Sequence, residues 1–376
     1  MCESVLAWAA SRPGTSWSSI APSERVMKRG PNTLEPTVHP KFVEAEEFVA
    51  AERYVAVLED ALLEVPVTAG GPPRSAGKSV FACPRVVTPD GLVAIESTQG
   101  QVKRCLPQPP EAAAPMAGDY FSLLSPYAWT GNYYHWTHDV LLSLVGVTPS
   151  LPPDTRFVVP PGLGRAHYES LSMLGISSEQ TVVFEFVDGG APHPAWRVER
   201  LHFSPGPIGP SASPEALAGL RRTALAHFGL TPAPPARRIY VTRGAARHRR
   251  VVNEDEVIRL VTGLSFEVHA LEDLTLGEQI ALFAEADTVV GPHGAGHINT
   301  IYAPPGLVLV DILGSEVNKC FHNVSLALGN DYWYLMGDDV PSGSRYTDDI
   351  HVPIEKLERT LARALMPSTT IDESAP

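Results

Sequence analysis

The stretch that most constrains the fold is residues 288–313, TVVGPHGAGHINTIYAPPGLVLVDIL. An apolar run ends in a Gly-Pro pair, the small residues His-Gly-Ala-Gly follow, and a second apolar run closes at Asp311. This pattern predicts a strand, a turn, a short helix and a second strand, which together form one parallel βαβ unit. Its turn lies at the carboxyl end of a strand, where open α/β sheets bind their ligands.

Two glycines of the turn, Gly294 and Gly296, carry no side chain at this edge. A bulky group can therefore approach the backbone and the N-terminus of the following helix. Unpaired N–H groups and partial positive charge at such an N-terminus suit a diphosphate. The alternative is a glycine-rich turn that needs a positive φ, and the GxG pattern alone leaves both interpretations open.

The second half of the chain alternates strands and helices. Strands are predicted at 238–242, 266–271, 287–290, 307–313 and 332–336, and helices at 253–264, 275–286, 318–328 and 354–365. Two of the helices begin with capping-box patterns, Asn253 with Glu256 and Thr275 with Glu278. Alternation at this spacing predicts a parallel sheet that helices cover on both faces.

The domain organisation is predicted from length and from proline-rich stretches. A chain of 376 residues suggests two domains, and the Pro- and Gly-rich stretch at 204–212 indicates a boundary between them. We predict an α/β domain with antiparallel additions over 39–210 and a second α/β domain over 211–376. Residues 1–38, rich in serine, proline and charge, are predicted to form a loose arm.

Composition excludes several classes of protein. The net charge of −13 argues against a general nucleic-acid surface. The four cysteines have no zinc-site spacing and indicate reduced thiols. There is no positively charged signal peptide and no run of about 18 apolar residues, so no membrane span is predicted. We expect a cytoplasmic protein, with peripheral binding at the inner face of the membrane as the alternative; the oligomeric state stays open.

A cluster of positive charge stands out in this acidic chain. Residues 237–250 contain six arginines and no carboxylate: Arg237, Arg238, Arg243, Arg247, Arg249 and Arg250. Arg243 follows the strand IYVT, so it lies at the ligand-facing edge of the sheet. A planar, permanently charged guanidinium suits paired phosphate oxygens. The alternative is solvated surface charge.

The segment GNYYHWTHDVLLSLVG, 131–146, predicts a helix with Asn132 as its N-cap. His135 and Asp139 are four residues apart and share one face, whereas His138 is expected to point elsewhere. A carboxylate beside a histidine fixes its tautomer and raises its basicity, so either residue is a candidate general base. The alternative is a buried polar pair that fixes the helix.

His293 opens the glycine-rich turn. It is a candidate hydrogen-bond donor to a phosphate or a sugar hydroxyl, or alternatively a cap of the turn. His293 and His297 have helical spacing for a metal pair, but no third ligand lies nearby in the sequence. We therefore expect no metal site.

Three segments occur in this order: NYYHWTHD, RRIYVTRGAARHRRVVNEDEV and PHGAGHINTIYAPPG. The combination resembles glycosyltransferase family 61 (GT61), and in particular its bacterial members associated with capsular-polysaccharide biosynthesis. The resemblance covers about residues 118–330. The HGAG turn with its downstream PPG is the most specific motif. His297 replaces the usual apolar residue after HGAG, and Asp311 stands where the pattern usually has Glu.

The resemblance implies a GT-B-like architecture, in which two Rossmann-like domains face each other across a cleft. It implies a nucleotide-diphosphate sugar donor, such as a UDP-sugar, held by the C-terminal domain, and inverting transfer to a hydroxyl of a glycan or other acceptor. It implies no obligatory metal or other cofactor. The residues that map near the donor are Arg243, His293, Gly294, Ala295 and Asn299. Asn253 and Glu254 match motif positions without an assigned role; we add Asn253, Arg249 and Gly296 to the candidate donor-binding residues.

The residues themselves agree with this chemistry. Arg243 and the turn after His293 could neutralise the leaving diphosphate, and His135 or Asp139 could accept the acceptor's proton. The alternatives are a nucleotide- or glycan-binding module without catalysis, a Rossmann oxidoreductase, or a metallohydrolase that uses His135, Asp139 and His293. The oxidoreductase is disfavoured because the turn is not GxGxxG after the first strand.

Overall fold

The computed structural model of the protein describes residues 2–12, 15–43, 47–65, 67–73, 79–82, 84–99, 113–184, 195–207, 209, 211–232, 234–244, 246, 248–342 and 348–366. The chain divides into two compact units. The first unit comprises Met1–Val26 and Glu47–Gly229, and the second comprises Met27–Glu46 and Leu230–Pro376. Both units combine helices with parallel strands, so the predicted α/β class is confirmed.

The strands of the first unit and its boundary are β1 (Cys2–Glu3), β2 (Trp17–Ala21), β3 (Glu24–Met27), β4 (Glu47–Ala50), β5 (Arg53–Glu64), β6 (Val67–Pro73), β7 (Ser79–Ala82), β8 (Arg85–Val87), β9 (Val93–Ala94), β10 (Ala114–Ser122), β11 (Arg156–Val159), β12 (Thr181–Val183) and β13 (Ala195–Phe203). Those of the second unit are β14 (Arg237–Val241), β15 (Glu267–His269), β16 (Ala286–Pro292), β17 (Val308–Leu313), β18 (Asp331–Met336), β19 (Asp338–Val340) and β20 (Asp349–His351).

The α-helices are α1 (Val5–Ala10), α2 (Pro40–Val43), α3 (Tyr133–His135), α4 (Leu142–Leu144), α5 (Arg165–Met173), α6 (Pro214–His227), α7 (Glu254–Gly263), α8 (Leu276–Ala284), α9 (Cys320–Leu328) and α10 (Ile354–Ala364). A π-helical segment, Trp136–Leu141, joins α3 to α4. The 3-10 helices are Ile95–Thr98, Ala128–Thr130, Thr148–Ser150, Ser178–Gln180, Leu271–Asp273 and Ala295–Tyr302.

The second unit contains the parallel sheet predicted from the strand–helix alternation. Its five strands lie in the order β15-β14-β16-β17-β18, and every neighbouring pair is parallel. In chain order this is 2-1-3-4-5, so the order reverses between β14 and β16. Open α/β sheets bind ligands at the carboxyl ends of the strands that flank this reversal.

The sheet of the first unit is mixed. It runs β1-β9-β8-β5-β13-β10-β11-β12, with β2 also paired to β5. Strands β13, β10, β11 and β12 are mutually parallel, whereas β5 is antiparallel to β13, β8 and β2. The parallel part agrees with the predicted β-α-β pattern, and the antiparallel strands are the predicted additions.

Two apolar cores support the two units. In the second unit, Tyr240, Val290, Val310 and Leu357 are fully buried, which joins the sheet to the terminal helix α10. In the first unit, Leu58, Val158 and Leu201 belong to a separate buried cluster. Burial of each such side chain stabilises the fold by roughly 1.5–3 kcal/mol, so each unit has its own source of stability.

The unit boundaries differ from the predicted domains. The Pro- and Gly-rich stretch at 204–212 does not divide the units, because its Gly206 packs so closely on Asp139 that an added Cβ would overlap the Asp139 carbonyl oxygen. Helix α6 therefore belongs to the first unit, and the division falls between Gly229 and Leu230.

Residues 1–38 also differ from the predicted loose arm. Val5 and Trp8 of α1 are buried in the first unit, and β2 pairs with β5. Residues 27–43 pack on the second unit, where Asn32 pairs with Trp333. The partners of these segments lie far along the chain, so a local reading of composition does not reveal them.

Only one of the two predicted capping boxes is formed. In α8, the Thr275 N–H donates to Glu278 Oε2 at 2.7 Å and the Glu278 N–H donates to Thr275 Oγ1 at 3.3 Å, as predicted. At α7, the Asn253 side chain instead pairs with the backbone of Val352, through two hydrogen bonds of 2.9 Å each. The Asn253 box was thus wrong because a tertiary contact competes with the local one.

Candidate active site

A cavity of about 90 Å³ lies at the point of strand reversal in the second unit. It is bounded by residues that follow three neighbouring strands: Arg243 after β14, Leu271 and Glu272 after β15, and Gly294, Gly296 and His297 after β16. Parallel strands end at the same edge of a sheet, which is why segments distant in sequence meet here. The structure thus brings Arg243 and the glycine-rich turn together.

The guanidinium of Arg243 is largely buried beside the turn. Its Nη2 donates to the His248 carbonyl oxygen at 3.0 Å, while its Nε is buried and has no hydrogen-bond partner among the described residues. Burial and the nearby charge of Arg249 lower the pKa of Arg243 to about 10. The group therefore remains charged at neutral pH although it is held in an environment that disfavours a cation.

Arg249 places a second guanidinium close to the first. Its backbone is left-handed, with φ 57°, and its Nε is also buried without a partner in the described part of the chain. Burial lowers its pKa, with the charge of Asp311 acting in the opposite direction. None of the ion pairs found between described residues involves Arg243 or Arg249. Two neighbouring, partly buried cations that form no ion pair with a described carboxylate have the chemistry that suits an anion.

The absence of a side chain at Gly294 leaves room for the Arg243 guanidinium. Its φ of −169° is an extended conformation that any residue adopts, but an added Cβ would overlap Arg243 Nη1. Gly291 and Gly296 are also tightly packed, since a Cβ there would lie 2.7 Å from the Val241 carbonyl oxygen and from Leu271 Cδ1, respectively. The small residues of the turn therefore allow the close approach of neighbouring groups.

We expect Gly294→Ala to weaken binding of inorganic pyrophosphate about tenfold, because the new methyl group displaces the flexible Arg243 guanidinium from the cavity. The melting temperature should change by less than about 2 °C, since a side-chain shift rather than a backbone shift relieves the overlap. Calorimetric titration with pyrophosphate measures the effect. Gly263→Ala is the matched control, because a Cβ at Gly263 meets nothing within 4 Å; equal losses in both variants would contradict the explanation.

Behind the cavity, a buried aspartate lies beside two histidines. His293 is within hydrogen-bond distance of it, whereas His297 Nε2 lies 3.2 Å from the Gly291 carbonyl oxygen. Asp311 Oδ2 lies 2.9 Å from His293 Nδ1 and accepts a hydrogen bond of 2.9 Å from the Tyr332 hydroxyl, while Oδ1 lies 3.5 Å from His297 Nε2. Burial alone would raise the pKa of Asp311, but the charges and hydrogen bonds of the two histidines outweigh it, and the pKa falls below its ordinary value. Asp311 is thus an ionised group inside the sheet.

The two histidines occupy different places. His293 is 6% exposed and its Nε2 faces Cys320 Sγ at 4.0 Å, against the ring of Phe321. His297 lines the cavity, and its Nδ1 has no partner among the described residues. The sequence directed attention to His293, whereas the structure places His297 on the cavity wall.

The other donor-side candidates lie around the cavity rather than in it. Asn299 is fully buried and donates to Gln279 Oε1 at 2.8 Å; Gln279 in turn donates to the Leu271 carbonyl oxygen at 2.8 Å. Glu254 accepts from the Thr242 hydroxyl at 2.6 Å and from the Arg243 N–H at 3.4 Å. Ala295 is the first residue of the 3-10 helix, and the Asn253 side chain donates a hydrogen bond to the Val352 carbonyl oxygen. Arg247 lies outside the described residues. These contacts give Asn299 and Glu254 positioning roles.

The first unit carries a second buried aspartate between two histidines. Asn132 caps α3 as predicted, accepting from the Tyr134 N–H at 3.0 Å. Asp139 Oδ2 lies 2.9 Å from His135 Nδ1, and Oδ1 lies 2.9 Å from His138 Nδ1. The expectation that His138 points elsewhere was wrong, because residues 136–141 are π-helical and the wider turn changes the direction of their side chains.

Asp139, His135 and His138 differ in how far solvent reaches them. Asp139 is 6% exposed and His138 is fully buried, whereas 28% of the His135 side chain is exposed. The Tyr127 ring stacks on His135 at 4.7 Å, and the Tyr134 ring stacks on His138 at 5.1 Å. Burial would raise the pKa of Asp139, but its hydrogen bonds with His135 and His138 lower it. Asp139 therefore stays ionised and orients the one imidazole that solvent reaches.

No group of three or more His, Cys, Asp or Glu side chains in the described part of the chain is arranged to hold a metal ion. None of the helices in the described ranges combines the length and the apolar character that crossing a bilayer requires.

Comparison with known proteins gives the family. No curated protein matches the chain. The family model described as Glycosyltransferase 61 matches residues 133–310, a range that begins in α3 and ends in β17. It thus includes His135, Asp139, Arg243 and the glycine-rich turn. The family implies glycosyltransferase activity, with a glycosyl donor and an acceptor as substrates. Residues 133–310 of the chain therefore match glycosyltransferase family 61, the family that the sequence resembles.

Proposed function

We propose that the protein is an inverting glycosyltransferase that moves a sugar from a nucleoside-diphosphate donor, of which a UDP-sugar is the first choice, to a hydroxyl of a glycan or other acceptor. The observation that carries this proposal is the pair of buried guanidinium groups, Arg243 and Arg249, at the strand reversal of the second unit.

The donor half of the reaction rests on charge. The two guanidinium groups repel each other and lose hydration, so their arrangement is unfavourable until an anion binds. A leaving diphosphate supplies that anion, and its negative charge increases as the glycosidic bond breaks. Preorganised cations therefore favour the transition state over the ground state. The cavity of about 90 Å³ has room for a phosphate group, whereas the remainder of the nucleotide extends beyond it.

The acceptor half rests on the dyad of the first unit. Asp139 is buried and both of its oxygens contact histidines, which leaves it poorly placed to receive a proton from a substrate. His135 donates its Nδ1–H to Asp139, so its Nε2 carries a free lone pair on a partly exposed ring. These contacts favour His135 as the general base and Asp139 as the residue that orients it.

The reaction that we propose is a single displacement. The acceptor oxygen attacks the anomeric carbon as its proton passes to His135 Nε2, and the bond to the diphosphate breaks with the electron pair leaving on the phosphate oxygen. The configuration at carbon is inverted. Productive geometry requires the two units to act on the two substrates together, which is the GT-B arrangement implied by the family resemblance.

A nucleotide screen tests the proposal. We expect one nucleoside diphosphate, UDP in the first instance, to raise the melting temperature of the full chain, whereas the monophosphate gives a smaller shift. The nucleotide that binds then defines the sugar donors for a transfer assay, which is run with and without EDTA. Absence of a shift with every nucleoside diphosphate, or binding without release of diphosphate from any sugar donor, would contradict the proposal.

A further inference from the structure

The segment of residues 27–43, here called the N-terminal strap, packs on the second unit although it is far from it in sequence. The Asn32 N–H donates to the Tyr332 carbonyl oxygen at 2.9 Å, and the Tyr334 N–H donates to the Asn32 carbonyl oxygen at 3.0 Å. Asn32 and Trp333 form a parallel bridge. The strap therefore continues the parallel sheet beyond β18, its last strand.

Side chains attach the strap along its length. The Thr33 hydroxyl donates to the Tyr334 carbonyl oxygen at 3.0 Å, and the His39 N–H donates to the Tyr334 hydroxyl at 2.9 Å. Glu35 accepts from the Lys356 ammonium at 2.9 Å, and Lys41 donates to the Val317 carbonyl oxygen at 2.7 Å. The strap is thus a fixed part of the second unit.

Phe42 of the strap is the centre of an aromatic cluster. It is 5% exposed, and its ring lies 4.8 Å from Tyr334, 5.3 Å from His322 and 6.0 Å from Tyr332, measured between ring centroids. Such contacts fix the side chains of β18 from the strap side.

Tyr332 connects this cluster to the candidate donor site. Its hydroxyl donates to Asp311 Oδ2 at 2.9 Å, and the other Asp311 oxygen lies 3.5 Å from His297 Nε2. His297 lines the cavity beside Arg243. Burial and the Asp311 charge raise the pKa of Tyr332, which keeps its hydroxyl protonated as a donor. A continuous series of contacts therefore runs from Phe42 to the cavity wall.

We infer that the N-terminal strap is a working part of the anion site, and that Tyr332 is a positioning residue that holds Asp311 and, through it, His297. The inference rests on the proposed function of that site. The strap lies outside residues 133–310, the range of the family match, so the inference concerns a part of this chain that the match does not include. A fully buried carboxylate needs several hydrogen bonds to keep one ionisation state and one orientation, and Tyr332 supplies one of them.

The test measures binding of inorganic pyrophosphate and of UDP to the full-length protein by calorimetry. We expect Tyr332→Phe to weaken both about tenfold, because the change removes only the hydroxyl that Asp311 accepts from. Tyr54→Phe is the matched control: it removes a buried tyrosine hydroxyl that also donates to a carboxylate, Glu96 Oε1 at 3.2 Å, but in the first unit, and it should leave both affinities within twofold.

The pH dependence separates positioning from a general loss of stability. The groups that face Asp311 are His293, His297, Tyr332, Cys320 and Arg249. In the intact protein the pKa of Asp311 is held below its ordinary value, so the carboxylate stays ionised at mildly acidic pH. Without the Tyr332 hydroxyl this pKa rises, and Asp311 is protonated at a higher pH than before. The ratio of wild-type to Tyr332→Phe affinity should therefore stay constant from pH 7 to about 5 and increase only at more acidic pH, toward the ordinary pKa of an aspartate.

Phe42→Leu tests the role of the strap. We expect a weakening of about threefold in the wild-type background and a smaller effect in Tyr332→Phe, since both changes act on one series of contacts. Affinities within twofold of wild type for Tyr332→Phe, an equal loss in Tyr54→Phe, or additive effects of Phe42→Leu would overturn the inference. Arg243→Ala distinguishes the two proposals. If this variant still binds pyrophosphate, the anion site itself is refuted. If it loses pyrophosphate binding while Tyr332→Phe binds normally, the positioning role of Tyr332 alone is refuted.

Discussion

Arg243→Ala should lower the rate of glycosyl transfer by about 100- to 1000-fold and weaken UDP binding in parallel, because it removes one of two preorganised cations at the leaving group. Stability should behave differently. The guanidinium is desolvated, is repelled by Arg249 and, among the described residues, donates one hydrogen bond, to the His248 carbonyl oxygen, so its removal should leave the melting temperature unchanged or slightly raised. Steady-state kinetics with the identified donor, calorimetry with UDP and a melting curve measure the three quantities.

Arg250→Ala is the matched control from the same arginine-rich segment. Arg250 Nη2 lies 2.7 Å from Asp349 Oδ2, which ties the segment to β20. This variant should bind UDP within about threefold of wild type and lose some stability, as expected for a partly exposed pair with ideal geometry. If Arg243→Ala kept normal turnover, or if Arg250→Ala lost donor binding to the same degree, the assignment of the anion site would be incorrect.

His135→Gln should lower kcat by about 100- to 10,000-fold while UDP affinity stays within twofold. Glutamine preserves a polar side chain of similar reach but does not accept a proton from the acceptor hydroxyl. Initial rates with saturating donor measure kcat, and calorimetry with UDP measures the affinity.

The control for His135 is His227→Gln. His227 lies at the exposed end of α6 in the same unit, so its replacement should leave kcat unchanged. A kcat for His135→Gln within threefold of wild type would exclude His135 as the base. If Asp139→Asn then showed the larger loss, Asp139 would take the role that we assign to His135.

The parallel sheet of the second unit could be predicted because its signals are local. The apolar run at 288–290, the glycine-rich turn and the run at 307–313 follow one another directly, and they correspond to β16, the 3-10 helix and β17. Arg243 could be placed at the ligand-facing edge for the same reason, since it follows an apolar strand. Because parallel strands end at the same edge of a sheet, the pattern predicts that Arg243 and the glycine-rich turn lie close together.

The remaining features depend on contacts between distant residues or on backbone details without a composition signal. The π-helical turn that directs His138 to Asp139 has the same residue pattern as an ordinary α-helix. Tyr332 looks like any aromatic residue of a buried strand until Asp311 is placed beside it. The position of His297 on the cavity wall depends on how the turn packs against Leu271, which no local pattern reveals.

The strap also has a consequence for synthesis on the ribosome. Residues 27–43 leave the ribosome almost 300 residues before β18, the edge strand with which they pair. Throughout that interval the nascent segment has no partner, and β18, once made, has an uncovered edge until the two meet. Uncovered sheet edges favour association between chains. Asn32→Pro, which removes the N–H that donates to the Tyr332 carbonyl oxygen, should therefore yield aggregated material even though every residue of the family match is retained, and gel filtration of this variant would show it.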